Sequence, residues 1–186
     1  MKPRDNPFRA QRIDALTFRP QSTTWPAILQ RMVALGNRAA IVGPHGSGKT
    51  TLLDQLRRQY AVNGHATAHL RLNSTEWRQT WRSLLRKVEQ RAQPLVFLDG
   101  ADLLPLSTWR RLMQMTNCSA AGLIITSHRP GLLPTLLETQ TSSALLSELV
   151  SELTGEKHLG TGHLFASSGG DIRQALRSLY HTYSMR

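Results

Sequence analysis

The segment Gly43-Pro44-His45-Gly46-Ser47-Gly48-Lys49-Thr50 follows the apolar run Ala39-Ala40-Ile41-Val42 without a break. No other stretch constrains the fold as tightly. An apolar strand that ends in a glycine-rich turn and feeds a helix aims several backbone N–H groups at one point, with the positive end of the helix dipole behind them. Such a cradle takes an anion of phosphate size. Glycines at 43, 46 and 48 keep Cβ atoms out of the places where backbone and phosphate approach. The G-x-x-x-x-G-K-T spacing brings Lys49 to the β- and γ-phosphates of a nucleoside triphosphate and the Thr50 hydroxyl to Mg²⁺. Nucleotide binding is therefore expected from residues Gly43, Pro44, His45, Gly46, Ser47, Gly48, Lys49, Thr50 and Thr51. Pro44 and His45 fill variable positions, and His45 is expected to face solvent.

The chain around this loop reads as alternating helices and strands. Leu52, Leu53, Leu56 and Tyr60 recur at helical spacing after the loop, and a helix over about 23–36 precedes the first strand, with a capping start at Thr23-Thr24. Residues 1–22 read as an irregular arm. A strand is expected over 65–72, followed by a helix over about 75–92 with Trp77, Trp81, Leu84, Leu85 and Val88 on one face. Tryptophans four apart in register with leucines form a core stripe in preference to a base-stacking platform. Pro94-Leu95-Val96-Phe97-Leu98-Asp99 has the near-continuous hydrophobicity of a strand covered on both faces. Its closing acid lies at the edge where open α/β sheets bind ligands. Helical spacing returns in Leu106, Trp109, Leu112 and Met113, and residues 121–128 form a second buried strand tipped by Thr126 and Ser127. Helices over about 143–153 and 170–183 complete the chain. The expected organisation is an arm (1–22), a core (23–142) and a short helical lid (143–186).

Lys and Arg total 23 against 12 Asp and Glu, a formal charge of +11. That excess attracts polyanions, so a nucleic-acid partner and plain solubilising charge both stay open. Cys118 is the sole cysteine, which excludes an intramolecular disulfide and argues against a thiolate zinc site. Its side chain is expected to be buried or half-buried. No apolar run reaches membrane-spanning length, and the start Met1-Lys2-Pro3-Arg4-Asp5-Asn6 lacks the apolar core of a secretion signal. The expectation is a cytoplasmic location.

Across about residues 38–180 these motifs resemble a compact P-loop ATPase of the AAA+ and STAND branch. The resemblance implies an α/β, three-layer P-loop NTPase fold with a mostly parallel five-stranded sheet and a short C-terminal helical lid. It implies ATP and Mg²⁺ as cofactors, with Gly43 to Thr50 as the Walker A loop, Asp99 as the Walker B aspartate, and Thr50 and Asp99 on the metal. Thr126 or Ser127 would hold the sensor-1 position. Gly169-Gly170-Asp171-Ile172-Arg173 resembles the start of a sensor-2 helix, from which Arg173 would reach the γ-phosphate. Ordinary AAA+ motors place glutamate directly after the Walker B aspartate, and here that place is Gly100. The pattern Leu98-Asp99-Gly100-Ala101-Asp102 is similar to NACHT-type ATPases, in which an acid lies further on. Asp102 is either the base or a loop acid. The catalytic set so implied is Lys49, Asp99, Asp102 and Arg173. Arg129 is either a finger acting across a subunit boundary or a loop residue. The leading function is a nucleotide-driven switch or motor acting on nucleic acid, a protein partner or a second copy of itself, with slow or partner-dependent hydrolysis. A small-molecule kinase and a binding-only switch are the alternatives.

Overall fold

A computed structural model describes residues 3–72, 94–119, 122–156 and 160–185. The expected helix over 75–92, with Trp77 and Trp81, lies outside the described residues. Five strands form one sheet: β1 (Arg38–Val42), β2 (Thr67–Arg71), β3 (Leu95–Asp99), β4 (Gly122–Ser127) and β5 (Thr135–Glu138). Their order is β2-β3-β4-β1-β5, and all four pairings are parallel. Each parallel step needs a crossover on a face of the sheet. The described helices are α1 (Ala10–Asp14), α2 (Trp25–Ala34), α3 (Lys49–Val62), α4 (Leu106–Ser119), α5 (Ser143–Thr154), α6 (Thr161–Ser167) and α7 (Ile172–Ser184); α3 carries the chain from β1 to β2 and α4 from β3 to β4, whereas β4 leads to β5 through the loop 128–134.

Strand alternation divides the core in two. Ala40, Val42, Val96, Leu98, Leu123 and Ile125 point to the face covered by Trp109 and Leu112 of α4. Ala39, Ile41, Phe97 and Ile124 point to the other, against Ile28 and Met32 of α2 and Leu52, Leu53 and Leu56 of α3. Every residue of β3 and β4 is buried, which is why both strands are apolar almost throughout. Each fully buried Leu, Ile or Phe contributes about 1.5–3 kcal/mol over its exposed state. The central layer is therefore rigid enough to hold loops at its edge.

A third cluster joins Leu146, Leu149, Val150 and Leu153 of α5 to Ile172, Ala175 and Leu176 of α7. Phe8 completes it at 1% exposure, with its ring edge-on to Tyr183 at 5.0 Å. Residues before 22 are thus not irregular throughout: α1 lies among them, and Asn6 donates to the Tyr180 carbonyl at 2.9 Å. Two side chains depart from expectation. Cys118 is exposed, because the buried stripe of α4 runs through Trp109, Leu112 and Thr116 and leaves position 118 outside it. Leu106, read as part of that stripe, is 62% exposed in the first helical turn.

Candidate functional site

The register of the sheet builds the site. Pairing of Val42 with Ser127 and of Arg71 with Asp99 aligns the carboxyl ends of the strands, so the loop after β1, Asp99 and the end of β4 share one edge. The phosphate loop leaves β1 at Gly43, and α3 begins at Lys49. Thr139 pins it from β5's end: its hydroxyl donates to the Val42 carbonyl at 3.1 Å and lies 2.6 Å from Ser47 Oγ, which itself lies 2.8 Å from the Pro44 carbonyl. Lys49 Nζ donates to the Gly43 and Pro44 carbonyls, both at 2.7 Å. Lys49 is 9% exposed, and desolvation lowers its pKa while Asp102, Asp99 and Asp171 oppose the shift. At Gly46 (φ +69°) a Cβ would sit 2.0 Å from Asp171 Oδ1 and 2.9 Å from the Ile172 nitrogen. The start of α7 therefore lies directly against the phosphate loop.

Asp99 is the hub of the polar contacts. Thr50 Oγ1 donates to its two carboxylate oxygens at 3.1 and 2.9 Å, Thr126 Oγ1 donates to Oδ1 at 2.6 Å, and Arg71 Nε donates to Oδ2 at 3.0 Å. Of the two sensor-1 candidates, Thr126 faces Asp99, whereas Ser127 turns to the Arg129 carbonyl at 2.7 Å. The Thr126 hydroxyl also accepts from the Gly100 nitrogen at 2.8 Å. Gly100 has a left-handed backbone, φ +84°, and a Cβ there would meet the Leu72 carbonyl at 3.3 Å. A glutamate in this place would be strained, which is a physical reason for glycine after Asp99.

The acid further on, Asp102, contacts His128 just beyond β4: Oδ2 lies 2.6 Å from Nδ1. His128 Nε2 lies 3.2 Å from His45 Nδ1, and the two rings lie 4.0 Å apart between centroids, tilted by 38°. Burial raises the Asp102 pKa, but hydrogen bonds from His128 and backbone, with the imidazole's charge, hold it below the usual carboxylate value. His45 is exposed as expected, yet not isolated. Arg173 does not join this group: it lies exposed on α7, one residue past the helix start. Thr51 lies half-buried in the first turn of α3, and Arg129 is exposed. Arg71, Thr139 and His128 were not singled out by sequence, because only strand register brings them to residues 28, 92 and 26 positions away.

The donor set fits Mg²⁺ and a triphosphate. Hard oxygens from Thr50 and Asp99 meet on one side of the loop, and the buried Lys49 lies beside them with its Nζ at the Gly43 and Pro44 carbonyls. In a comparison with protein families, residues 29–167 match the ABC transporter model. The chain belongs to the ABC transporter family. As an ABC-type domain it is an ATP-binding P-loop ATPase that takes ATP with Mg²⁺. A stretch of 70 residues is 41% identical to the ATP-dependent lipid A-core flippase of Dechloromonas aromatica (strain RCB). That alignment covers 33% of this chain and 12% of the flippase, so the chain spans a small part of its relative's length. No described helix of this ABC-family chain is long and apolar enough to cross a membrane. The match supports P-loop ATPase membership and does not extend to the AAA+ and STAND branch.

Proposed function

We propose that this ABC-family chain hydrolyses Mg-ATP and works as a conformational switch, with residues 143–186 serving as a lid of the AAA+ and STAND kind on a core of 23–142. The observation that carries this reading is the Asp102–His128 contact at 2.6 Å, on the side of Asp99 where Gly100 supplies no glutamate. Asp102 accepts from Nδ1–H and so fixes the His128 tautomer, leaving Nε2 as the acceptor, which here faces His45 Nδ1 at 3.2 Å and exchanges that partner for water when nucleotide binds. Nε2 takes the proton of the attacking water as its oxygen bonds to the γ-phosphorus and the bond from that phosphorus to the β,γ-bridging oxygen breaks; ADP departs with that oxygen, and the proton passes from Nε2 to the phosphate product. Asp102 is a positioning residue in this scheme. Lys49 offsets the developing phosphate charge, Thr50 and Asp99 would hold Mg²⁺, which would supply electrostatic stabilisation, and Thr126 orients Asp99.

Contact between Gly46 and the Asp171–Ile172 helix start gives the switch its route, since a change in the loop displaces α7. Arg173, two positions beyond Asp171, follows that displacement and engages the γ-phosphate in the closed state. Amide hydrogen exchange at residues 171–176, with Mg-ATP, with Mg-ADP and without nucleotide, tests the lid. Slower exchange with Mg-ATP alone is expected, and identical exchange in all three states would overturn it. The likeness to a flippase segment supports a second reading, the ATPase part of a membrane transporter. Co-fractionation of the chain with a membrane subunit would favour that reading. Phosphate release without an acceptor separates both from a kinase.

A further inference from the structure

The polar face of α7 has no role in the scheme above beyond Arg173. The helix is strongly amphipathic: Ile172, Ala175 and Leu176 are buried, with Leu179, Tyr180 and Tyr183 packed beside them. On the opposite side Arg173, Arg177 and His181 recur every four residues and, with Gln174 and Ser178, line a shallow groove of about 380 Å³. Residues four apart share a face and are separated by about 6 Å along the axis. Asp171 is the one acid lining the groove, and it is engaged as the helix N-cap, accepting from the Gln174 nitrogen at 3.0 Å. Among the described residues Arg173 and Arg177 have no ion pair or side-chain hydrogen bond, whereas Arg19 meets Glu148 and Glu152, and Arg71 meets Asp99.

We propose that this face of α7 is a track for the phosphate backbone of a nucleic-acid strand. The chemistry selects the occupant. Two unpaired guanidiniums and an imidazole in a row, on a chain of net charge +11, match a line of phosphates. Insertion into a membrane surface needs an apolar helix face, and that of α7 is already buried in the third core cluster, so only the charged face is left to meet an anionic partner. Stable protein interfaces bury an apolar or aromatic core, and the exposed face offers no such side chain beside its arginines. The face carries no Trp, Tyr or Phe platform, so its contacts run to phosphates and are independent of sequence. The track begins at the helix start that abuts Gly46, so an occupied track restrains the phosphate loop. That coupling rests on the lid reading above; binding itself does not.

Fluorescence anisotropy of labelled single-stranded and duplex oligonucleotides, titrated with nucleotide-free protein over a salt series, tests the track. Arg177→Glu is expected to weaken binding about tenfold, and Arg177→Gln to reduce the slope of log affinity against log salt by about one. Arg111→Glu on α4 makes the same change in net charge and is expected to leave affinity within about twofold of wild type. Unaided ATP hydrolysis by Arg177→Gln is expected to match wild type, so failure of the track and failure of the ATPase reading are read separately. Absence of oligonucleotide binding at low salt, or equal losses from Arg111→Glu and Arg177→Glu, would overturn the proposal. So would Arg177-dependent binding to phosphatidylglycerol vesicles with oligonucleotide affinity unaffected, which would assign the face to lipid headgroups.

Discussion

Replacing Thr126 by valine removes one hydroxyl of a buried residue and keeps its shape. Thr126 is 1% exposed, donates to Asp99 Oδ1 at 2.6 Å and accepts from the Gly100 nitrogen at 2.8 Å. A hydrogen bond to a charged group contributes about 1.5–3 kcal/mol, and a neutral one about 1 kcal/mol. Thr50 and Arg71 still hold the carboxylate, so it is not left unpaired, and the expected loss is about 2–4 kcal/mol. In a chain of this size that lowers Tm by about 5–15 °C. Because Thr126 orients Asp99, the proposed Mg²⁺ ligand, Mg-dependent turnover should also fall about 10–100-fold. Thermal unfolding by circular dichroism, alongside phosphate release, reads both effects, with Thr126→Ser as the variant that keeps the hydroxyl. A Thr126→Val protein within about 2 °C of wild type, or a Thr126→Ser protein as impaired as Thr126→Val, would refute the assignment.

Three further outcomes follow from contacts on the same scaffold. Gly46→Ala forces a Cβ against Asp171 Oδ1 and the Ile172 nitrogen at a positive φ, so ATP affinity by calorimetry should drop about tenfold or more; unchanged affinity would mean that the lid does not abut the loop. Phe8→Ala empties a site of 1% exposure and should cost about 3–5 kcal/mol in chemical denaturation; a loss under about 1 kcal/mol would show that the arm is not part of the third cluster. Burial lowers the His69 pKa; Arg57 and Arg71 add to the shift, while Asp54 and Asp99 oppose it. The unfolded chain therefore takes up the proton first as pH falls, so stability is full above about pH 6.5 and declines below it. His69→Leu should flatten that decline, and an unaltered pH profile would remove His69 as its source.

The parts of the fold legible in sequence were those in which one element alone carries the signal. The glycine spacing of 43–50 and the continuous apolar runs into Asp99 and Ser127 reflect strands covered on both faces, and they locate the sheet edge without any partner. What register creates was not legible. Arg71 reaches Asp99 because Arg71 and Asp99 pair across β2 and β3, and Asp102 reaches His128 because the loops after adjacent strands meet. Single-sequence periodicity holds no such long-range pairing. Gly100 illustrates a second limit: its identity registers as the loss of a catalytic acid, whereas its left-handed backbone gives a steric reason for glycine. Helix α6 escaped notice because its seven residues hold too few turns for a periodic pattern.

Release of inorganic phosphate from Mg-ATP, with no acceptor present, tests the central claim most directly when His128→Gln and Asp102→Asn are compared with wild type and with Lys49→Ala as the blank. The account predicts Mg²⁺-dependent turnover by wild type, a fall of about 10²–10⁴-fold in His128→Gln, and a smaller fall in Asp102→Asn. Wild-type rates in His128→Gln, or rates equal to the Lys49→Ala blank for the unaltered chain, would contradict it.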